Sequence, residues 1–153
     1  MLIRPIADAD IPAAAALLRA LAEEFILPES GPEDAAAFLA EQGEDGLRGR
    51  IRDGYVYHVA LIDGELAGFI GIRERSHVYS LYVDKRYHRR GVARSLWETA
   101  RAAALEGAPD HSRVFTVKAS NYAVASYEAL GFERTAPTQP GIVLYNPMSL
   151  ALD

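Results

Sequence analysis

Two apolar runs at residues 55–62 and 65–73 are separated only by Asp63-Gly64, and this arrangement limits the fold more than any other feature. An Asp-Gly pair between two such runs is typical of a type I′ turn, in which both central residues take positive φ. Both runs are rich in β-branched and aromatic residues. They predict an antiparallel hairpin, and residues 77–83, apolar on both alternating faces, predict a third, central strand.

Helical and strand-like segments alternate along the rest of the chain. Residues 2–6 predict a first strand, and apolar side chains from Ile11 to Phe25 recur at helical spacing behind a cap at Asp8 or Asp10. The remaining predicted elements are one or two short helices within 28–54, a helix at 91–105, a strand at 113–118, a helix at 123–130, and extended segments from 132 onward and at 142–152. The order β-α-α-β-β-β-α-β-α-β-β predicts one α/β domain over residues 1–153, with three layers around a mixed sheet of about seven strands.

The composition excludes several classes of protein. The chain has 153 residues and no cysteine, which excludes a disulfide framework, a thiolate metal site and a cysteine nucleophile. Its formal charge of −5 argues against a nucleic acid partner, and every long apolar tract is interrupted by charges, which argues against a membrane span. His58 and His111 have no partner at ligand spacing, so we expect no metal site. The N-terminus does not resemble a signal peptide, and we expect a cytoplasmic protein.

Residues 84–94, DKRYHRRGVAR, hold five lysine or arginine side chains in an otherwise acidic protein. This segment lies between a predicted strand and a predicted helix, so free N–H groups and the positive end of the helix dipole add to the side-chain charge. Gly91 and Ala93 keep the backbone accessible to a phosphate oxygen. The pattern is neither GxxxxGK[ST] nor GxGxxG, so it predicts a phosphate site of another kind than a P-loop or a dinucleotide fingerprint.

Residues 88–93, HRRGVA, resemble the Q/R-x-x-G-x-G/A acyl-CoA loop of the GNAT superfamily of N-acetyltransferases. Residues 120–132 are similar to the N-x-x-A-x-x-x-Y-x-x-x-G-F segment of the same family. Two positions depart from the family pattern: His88 stands where Gln or Arg is usual, and Ser120 stands in the Asn position, seven residues before Tyr127. The resemblance covers nearly the whole chain and implies the GNAT fold.

The resemblance also implies which residues form the site. The cofactor-binding residues would be Leu81, Tyr82, Val83, His88, Arg89, Arg90, Gly91, Val92, Ala93, Arg94, Ser120, Asn121 and Tyr127. Main-chain N–H groups at residues 81–83 would bind the pantetheine arm and polarise the thioester carbonyl, where a bulge opens the sheet. Tyr127 would protonate the departing sulfur. His77 occupies a position where histone-modifying members carry Glu, so it is a candidate base, with ordered water as the alternative proton route.

The implied activity is transfer of an acetyl group from acetyl-CoA to a primary amine of a small molecule, peptide or protein, by direct attack and without a metal. A catalytically idle acyl-CoA sensor is the alternative, and it would bind the same ligand. Residues 5–47 contain ten Asp or Glu and one Arg, and they would either attract a cationic acceptor or only solvate the outer helix faces. The acceptor and the oligomeric state, a homodimer included, stay open.

Overall fold

Seven strands form one mixed sheet in the computed structural model, which describes all 153 residues. The strands are β1 (Leu2–Pro5), β2 (Val56–Ile62), β3 (Glu65–Arg73), β4 (His77–Val83), β5 (Val114–Ser120), β6 (Glu133–Arg134) and β7 (Tyr145–Ala151). The helices are α1 (Ile11–Leu21), α2 (Pro32–Glu41), α3 (Glu44–Arg52), α4 (Val92–Leu105) and α5 (Val124–Ala129). The strand order is β1-β2-β3-β4-β5-β7-β6, and only β4 and β5 are parallel. The predicted fold class is confirmed.

The hairpin forms as its sequence predicts. Asp63 and Gly64 connect β2 and β3 with φ of 52° and 79°, the positive values that a type I′ turn requires. The connection sets the register, which pairs Ile62 with Glu65 next to the turn.

Two apolar layers cover the sheet, because side chains alternate between the faces of each strand. Ile70 and Ile72 of β3 face α4 and α5, whereas Phe69, between them and the turn, faces α1. α2 and α3 complete the layer around α1. No helix of the fold is both long enough and apolar enough to cross a lipid bilayer.

Three helices lie between β1 and β2, so residues 28–54 hold two short helices, the larger of the two numbers predicted. The second of them is α3, which forms although it contains two glycines. Gly46 is required by packing: a Cβ there would lie 2.0 Å from the carbonyl oxygen of Glu41 at the end of α2. The predicted strand from residue 132 onward is also shorter than expected, because β6 pairs with β7 at only two positions.

Gly71→Ala tests how β2 packs on β3. A Cβ at Gly71 would lie 2.3 Å from a ring carbon of Tyr57, which is buried. The ring must therefore move, and we expect the free energy of unfolding in urea to fall by about 1–3 kcal/mol.

Gly49→Ala in α3 is the control. A Cβ there would meet only an Arg52 side-chain nitrogen at 3.6 Å, and alanine in a helix interior should raise stability by about 0.5–1 kcal/mol. A Gly71→Ala protein as stable as the wild type would contradict the close contact with Tyr57.

Candidate active site

A cavity of about 710 Å³ opens between β4 and β5. Its lining comes from both apolar layers, with Val92 and Tyr127 on the α4 side and Leu21 and Phe38 on the α1 side. The cavity therefore passes through the plane of the sheet. A ligand in it can be reached from both faces.

Most of the residues that the sequence assigns to the site share this cavity. Those that line it are His77, Leu81, Tyr82, Val83, His88, Arg89, Gly91, Val92, Ala93, Arg94, Ser120 and Tyr127. Arg90 and Asn121 do not line it.

The cavity exists because β4 and β5 separate after their first positions. The parallel register pairs His77 with Thr116 and Val78 with Val117, and no pair follows although both strands continue. On its other edge, β5 is paired with β7 along its whole length. The remaining part of β4 therefore has a free edge facing β5.

A β-bulge at Tyr79 marks the point where the strands part. Gly71 and Ile72 of β3 face residues 78–80 of β4, so β4 carries one extra residue there. A bulge bends a strand and increases its local twist. The resemblance implied a bulge at residues 81–83, and this expectation is wrong: the bulge lies earlier, beside the last paired position.

The amides of Leu81 and Val83 point into the gap between the strands. The N–H of Asp84 donates to the carbonyl of Ala67 in β3 at 2.8 Å. Because successive amides alternate in direction, those of Leu81 and Val83 donate away from β3. The Val83 carbonyl points the same way and accepts a hydrogen bond from His88 Nε2 at 2.7 Å. Two unpaired donors thus face the cavity along one strand edge, and His88 holds the following loop against it.

Six consecutive amides, from Arg89 to Arg94, donate to no acceptor within the protein. They belong to the loop after β4 and to the first turn of α4, where the helix dipole is positive. Gly91 caps the helix with φ of 77°, a conformation open to glycine, and Arg89 takes φ of 64° at a cost in strain. This geometry fits a ligand with several anionic oxygens.

Only part of the basic segment contributes charge to the cavity. Lys85 pairs with Glu24 at 2.9 Å, and Arg86 pairs with Asp84 at 3.1 Å. Arg94 lines the cavity, and one of its nitrogens donates to a carbonyl at the end of α5. The sequence predicted five cationic side chains at this site, but carboxylates neutralise two of them, so less positive charge is available to a ligand.

Ser120 and Asn121 have different environments. Ser120 Oγ accepts the amide of Ala123 at 3.3 Å and caps the turn before α5. The Asn121 side chain accepts from Asn146 at 2.9 Å and donates to Glu29 at 3.2 Å. Asn121 therefore connects chain segments, and the structure does not support a cofactor contact from its side chain.

Tyr127 presents a protonated phenol to the cavity. Its side chain is buried, with the ring edge-on to Phe132 at 5.5 Å between centroids. Burial, with a smaller effect of Tyr82, raises the pKa of Tyr127 well above its usual range. The hydroxyl keeps its proton at neutral pH and is available as a hydrogen-bond donor to a ligand in the cavity.

His77 lines the cavity in a poor position for a general base. Burial, assisted by the charges of Arg73 and Lys118 and opposed by Glu74, lowers the pKa of His77 to about 4. Its Nδ1 lies 2.8 Å from the hydroxyl of Thr116. The nearer of the two free amides, that of Leu81, is four positions along β4 from His77, or about 13 Å of extended strand. A neutral, weakly basic imidazole at this distance counts against the assignment of His77 as the base.

The cavity lining contains no aspartate or glutamate. The segment at residues 5–47 contributes Leu21, Ile26, Phe38 and Gln42 to it, while its carboxylates lie elsewhere. Helices α1 and α2 turn their apolar faces to the sheet, so their acidic side chains face outward. The alternative in which these carboxylates only solvate the outer helix faces agrees with the structure.

Sequence reasoning missed the polar residues at the α1 side of the cavity. Gln42 donates to the hydroxyl of Tyr79 at 3.0 Å, and the ammonium of Lys118 lies 5.1 Å from the centre of the Tyr145 ring. Lys118 interrupts the apolar run of β5, which is a weak signal that also fits a solvent-facing strand residue. Gln42 follows α2 and has no distinguishing sequence signal.

Known proteins share this architecture. A family model described as an acetyltransferase (GNAT) domain matches residues 26–152. No curated protein sequence matches the chain.

Three solved structures illustrate the likeness. A GCN5-related N-acetyltransferase from Rhodopseudomonas palustris is 25% identical, with a TM-score of 0.76 over 99% of this chain and 95% of that one. The ribosomal-protein-alanine N-acetyltransferase of Brucella melitensis is 25% identical, with a TM-score of 0.68 over 99% and 100%. The PaiA N-acetyltransferase of Thermoplasma acidophilum, solved with coenzyme A, is 15% identical with a TM-score of 0.77 over 99% and 98%, a likeness of fold alone.

The family model spans most of the chain, and both sequence motifs lie on the elements that the resemblance implies. The chain belongs to the GNAT acetyltransferase family.

Proposed function

We propose that the protein transfers an acetyl group from acetyl-CoA to a primary amine. The observation that carries the proposal is that three features surround one cavity: the segment 89–94 with its unpaired amides, of which all residues but Arg90 line the cavity, the free edge of β4, and the Tyr127 phenol. A module that only binds coenzyme A needs the unpaired amides and the free strand edge. A protonated phenol at the same cavity adds a proton donor of the kind that acyl transfer needs for the departing sulfur.

The residues present fit coenzyme A in two places. The amides of residues 89–94, with Arg89 and Arg94, suit the phosphate groups. The free edge of β4 suits the amide-containing pantetheine arm, which can pair with it as an added strand would. Structures in the same fold support this: PaiA was solved with coenzyme A, and yncA from Salmonella typhimurium, 22% identical, was solved with acetyl-CoA.

Acetyl-CoA, when bound, supplies a thioester whose C–S bond breaks as a C–N bond to the amine forms. The amides of Leu81 and Val83 can donate to the carbonyl oxygen, where negative charge develops during attack. The departing sulfur needs a proton, and the Tyr127 hydroxyl at the same cavity can donate a hydrogen bond to it and supply that proton. The proton that the attacking nitrogen releases through water then restores the phenol. The chain has no cysteine, and the proposed reaction is direct attack without a covalent enzyme intermediate.

The acceptor must be a neutral amine when it attacks. The lining holds arginine and lysine and no carboxylate, so it disfavours an ammonium ion and lowers the pKa of a bound amine. With a pKa lowered to about 4, the His77 imidazole is a weak proton acceptor. In this proposal the ammonium form of the acceptor loses its proton to water before it attacks.

Gly91→Glu tests the phosphate site. The new carboxylate would lie beside the free amides and repel the ligand, so we expect the Kd for coenzyme A, measured by calorimetry, to rise at least about tenfold. Gly107→Glu is a matched control: both glycines have positive φ, 77° and 66°, and at both a Cβ would meet nothing within 4 Å. Equal Kd values for the two variants would contradict the site.

Tyr127→Phe tests the proton donor. We expect kcat to fall by about 10²–10⁴ with little change in the Kd for acetyl-CoA, because only the hydroxyl is lost. Thiol release is the measurement, and Tyr122→Phe, a substitution of a more exposed tyrosine at the same cavity, is the control. An unchanged kcat would remove Tyr127 from the mechanism. Acetyl-CoA binding without thiol release for any amine would favour the sensor alternative.

The pH dependence of kcat/KM should follow the acceptor. Two acceptors are compared: glycinamide, whose α-amine has a pKa of ~8, and butylamine, whose amine has a pKa of ~10. For each one, kcat/KM should rise with pH and level off near the pKa of that amine. His77→Gln should leave kcat/KM and both profiles unchanged above pH 6, because in this proposal water accepts the proton of the amine and the weakly basic His77 does not. If kcat/KM of the wild type also rose with pH near 6.5, and this rise disappeared in His77→Gln, the histidine would be established as the base.

A further inference from the structure

The cavity differs in charge from the rest of the protein. The chain carries 21 Asp or Glu residues and a net charge of −5, yet no carboxylate lines the cavity. Its charged lining residues are cationic: Arg89 and Arg94 at the phosphate site, and Lys118 on the opposite side of the sheet. The two arginines have a ligand under the proposed function, whereas Lys118 has none.

Lys118 lies on the acceptor side of the cavity. In β5, Phe115, Val117 and Ala119 pack toward α4, so by alternation Lys118 faces the α1 side. On that side Phe38 and Gln42 of the α2 region also line the cavity. An acceptor approaching the acyl group from this face therefore passes the ammonium of Lys118.

The ammonium of Lys118 has no anionic partner. Its side chain is exposed, no Asp or Glu oxygen lies within ion-pair distance, and the ammonium lies 5.1 Å from the centre of the Tyr145 ring. An aromatic face attracts an ammonium without neutralising it. His77 is neutral, and the charges of Lys118, Arg73 and Glu74 all act on it; Glu74 does not line the cavity. The lining on this side offers one unmatched positive charge.

The register of the strands indicates where a partner for this charge would lie. Thr116 and Val117 pair with His77 and Val78, so Lys118 is close to the level of the bulge. The amide of Leu81 lies two residues further along β4, or about 7 Å. An amine attacking at Leu81 would place a group a few bonds away beside Lys118.

We propose that Lys118 selects acceptors that carry a carboxylate separated from the amine by a short chain, as in 4-aminobutyrate. This inference rests on the proposed acetyltransferase function and adds the class of acceptor. It predicts discrimination against diamines, whose second ammonium would meet Lys118 with no carboxylate to stabilise it.

The experiment compares 4-aminobutyrate, butylamine and 1,4-diaminobutane, which differ only in the group at the far end of the chain. Thiol release from acetyl-CoA gives kcat and KM for each. For the wild type we expect 4-aminobutyrate to have the highest kcat/KM and 1,4-diaminobutane the lowest. In Lys118→Gln, the kcat/KM for 4-aminobutyrate should fall about tenfold, mainly through KM, while that for butylamine changes little.

Charge reversal and charge retention sharpen the test. Lys118→Glu should reverse the order of 4-aminobutyrate and 1,4-diaminobutane, and Lys118→Arg should restore most of the wild-type preference. Arg52→Gln is the control for net charge, because Arg52 is exposed on α3 and does not line the cavity. It should leave the order of the three amines unchanged.

The outcomes separate this inference from the function on which it rests. If butylamine and 1,4-diaminobutane react as well as 4-aminobutyrate, or if Lys118→Glu leaves the order unchanged, the carboxylate inference is overturned and the transferase stands. If acetyl-CoA binds and no amine releases thiol, the transferase function is overturned. Binding of N-acetyl-4-aminobutyrate and N-butylacetamide to the coenzyme A complex then decides the charge preference, since the two differ only in the carboxylate.

Discussion

The separation of β4 from β5 after two paired positions is the constraint on which the site depends. A parallel pair that continued would consume the amides of Leu81 and Val83 and close the space between the layers. The bulge at Tyr79 bends β4 away, while β5 stays paired with β7 along its whole length. In an uninterrupted sheet the amides of Leu81 and Val83 would donate hydrogen bonds to β5. Here they are free to donate to a ligand that presents carbonyl groups as a strand would.

The parted ends are held by contacts from a distant part of the chain. After α1 the helix continues as a π-helical turn at Ala22–Ile26, a conformation frequent at functional sites. Within it, Glu24 pairs with Lys85 beyond β4, and Phe25 stacks on Tyr122 beyond β5 at 4.5 Å between ring centres. One short segment therefore contacts both sides of the opening, and its carboxylate neutralises a lysine of the loop instead of entering the cavity.

Electrostatics explains how an acidic protein can favour an anionic ligand. Nearly all of the carboxylates are exposed on helices and loops outside the cavity, where water screens them. The cavity instead presents unpaired amides and a helix N-terminus, and no carboxylate lines it. Burial is the largest cause of two opposite shifts: it raises the pKa of Tyr127 and, together with the charges of Arg73 and Lys118, lowers the pKa of His77.

The sequence by itself determined the hairpin, the seven-stranded α/β fold and the position of the phosphate loop, because these depend on local patterns: the Asp63-Gly64 turn, the alternation in the strands and the glycine at the start of α4. Only the tertiary structure decided where β4 bends, that the side chain of Asn121 contacts Asn146 and Glu29 instead of the cavity, and that Lys118 faces the acceptor side. These features depend on which strands lie side by side and on which helix face is turned inward. Residues far apart in sequence set those relations through packing, and no local pattern contains them.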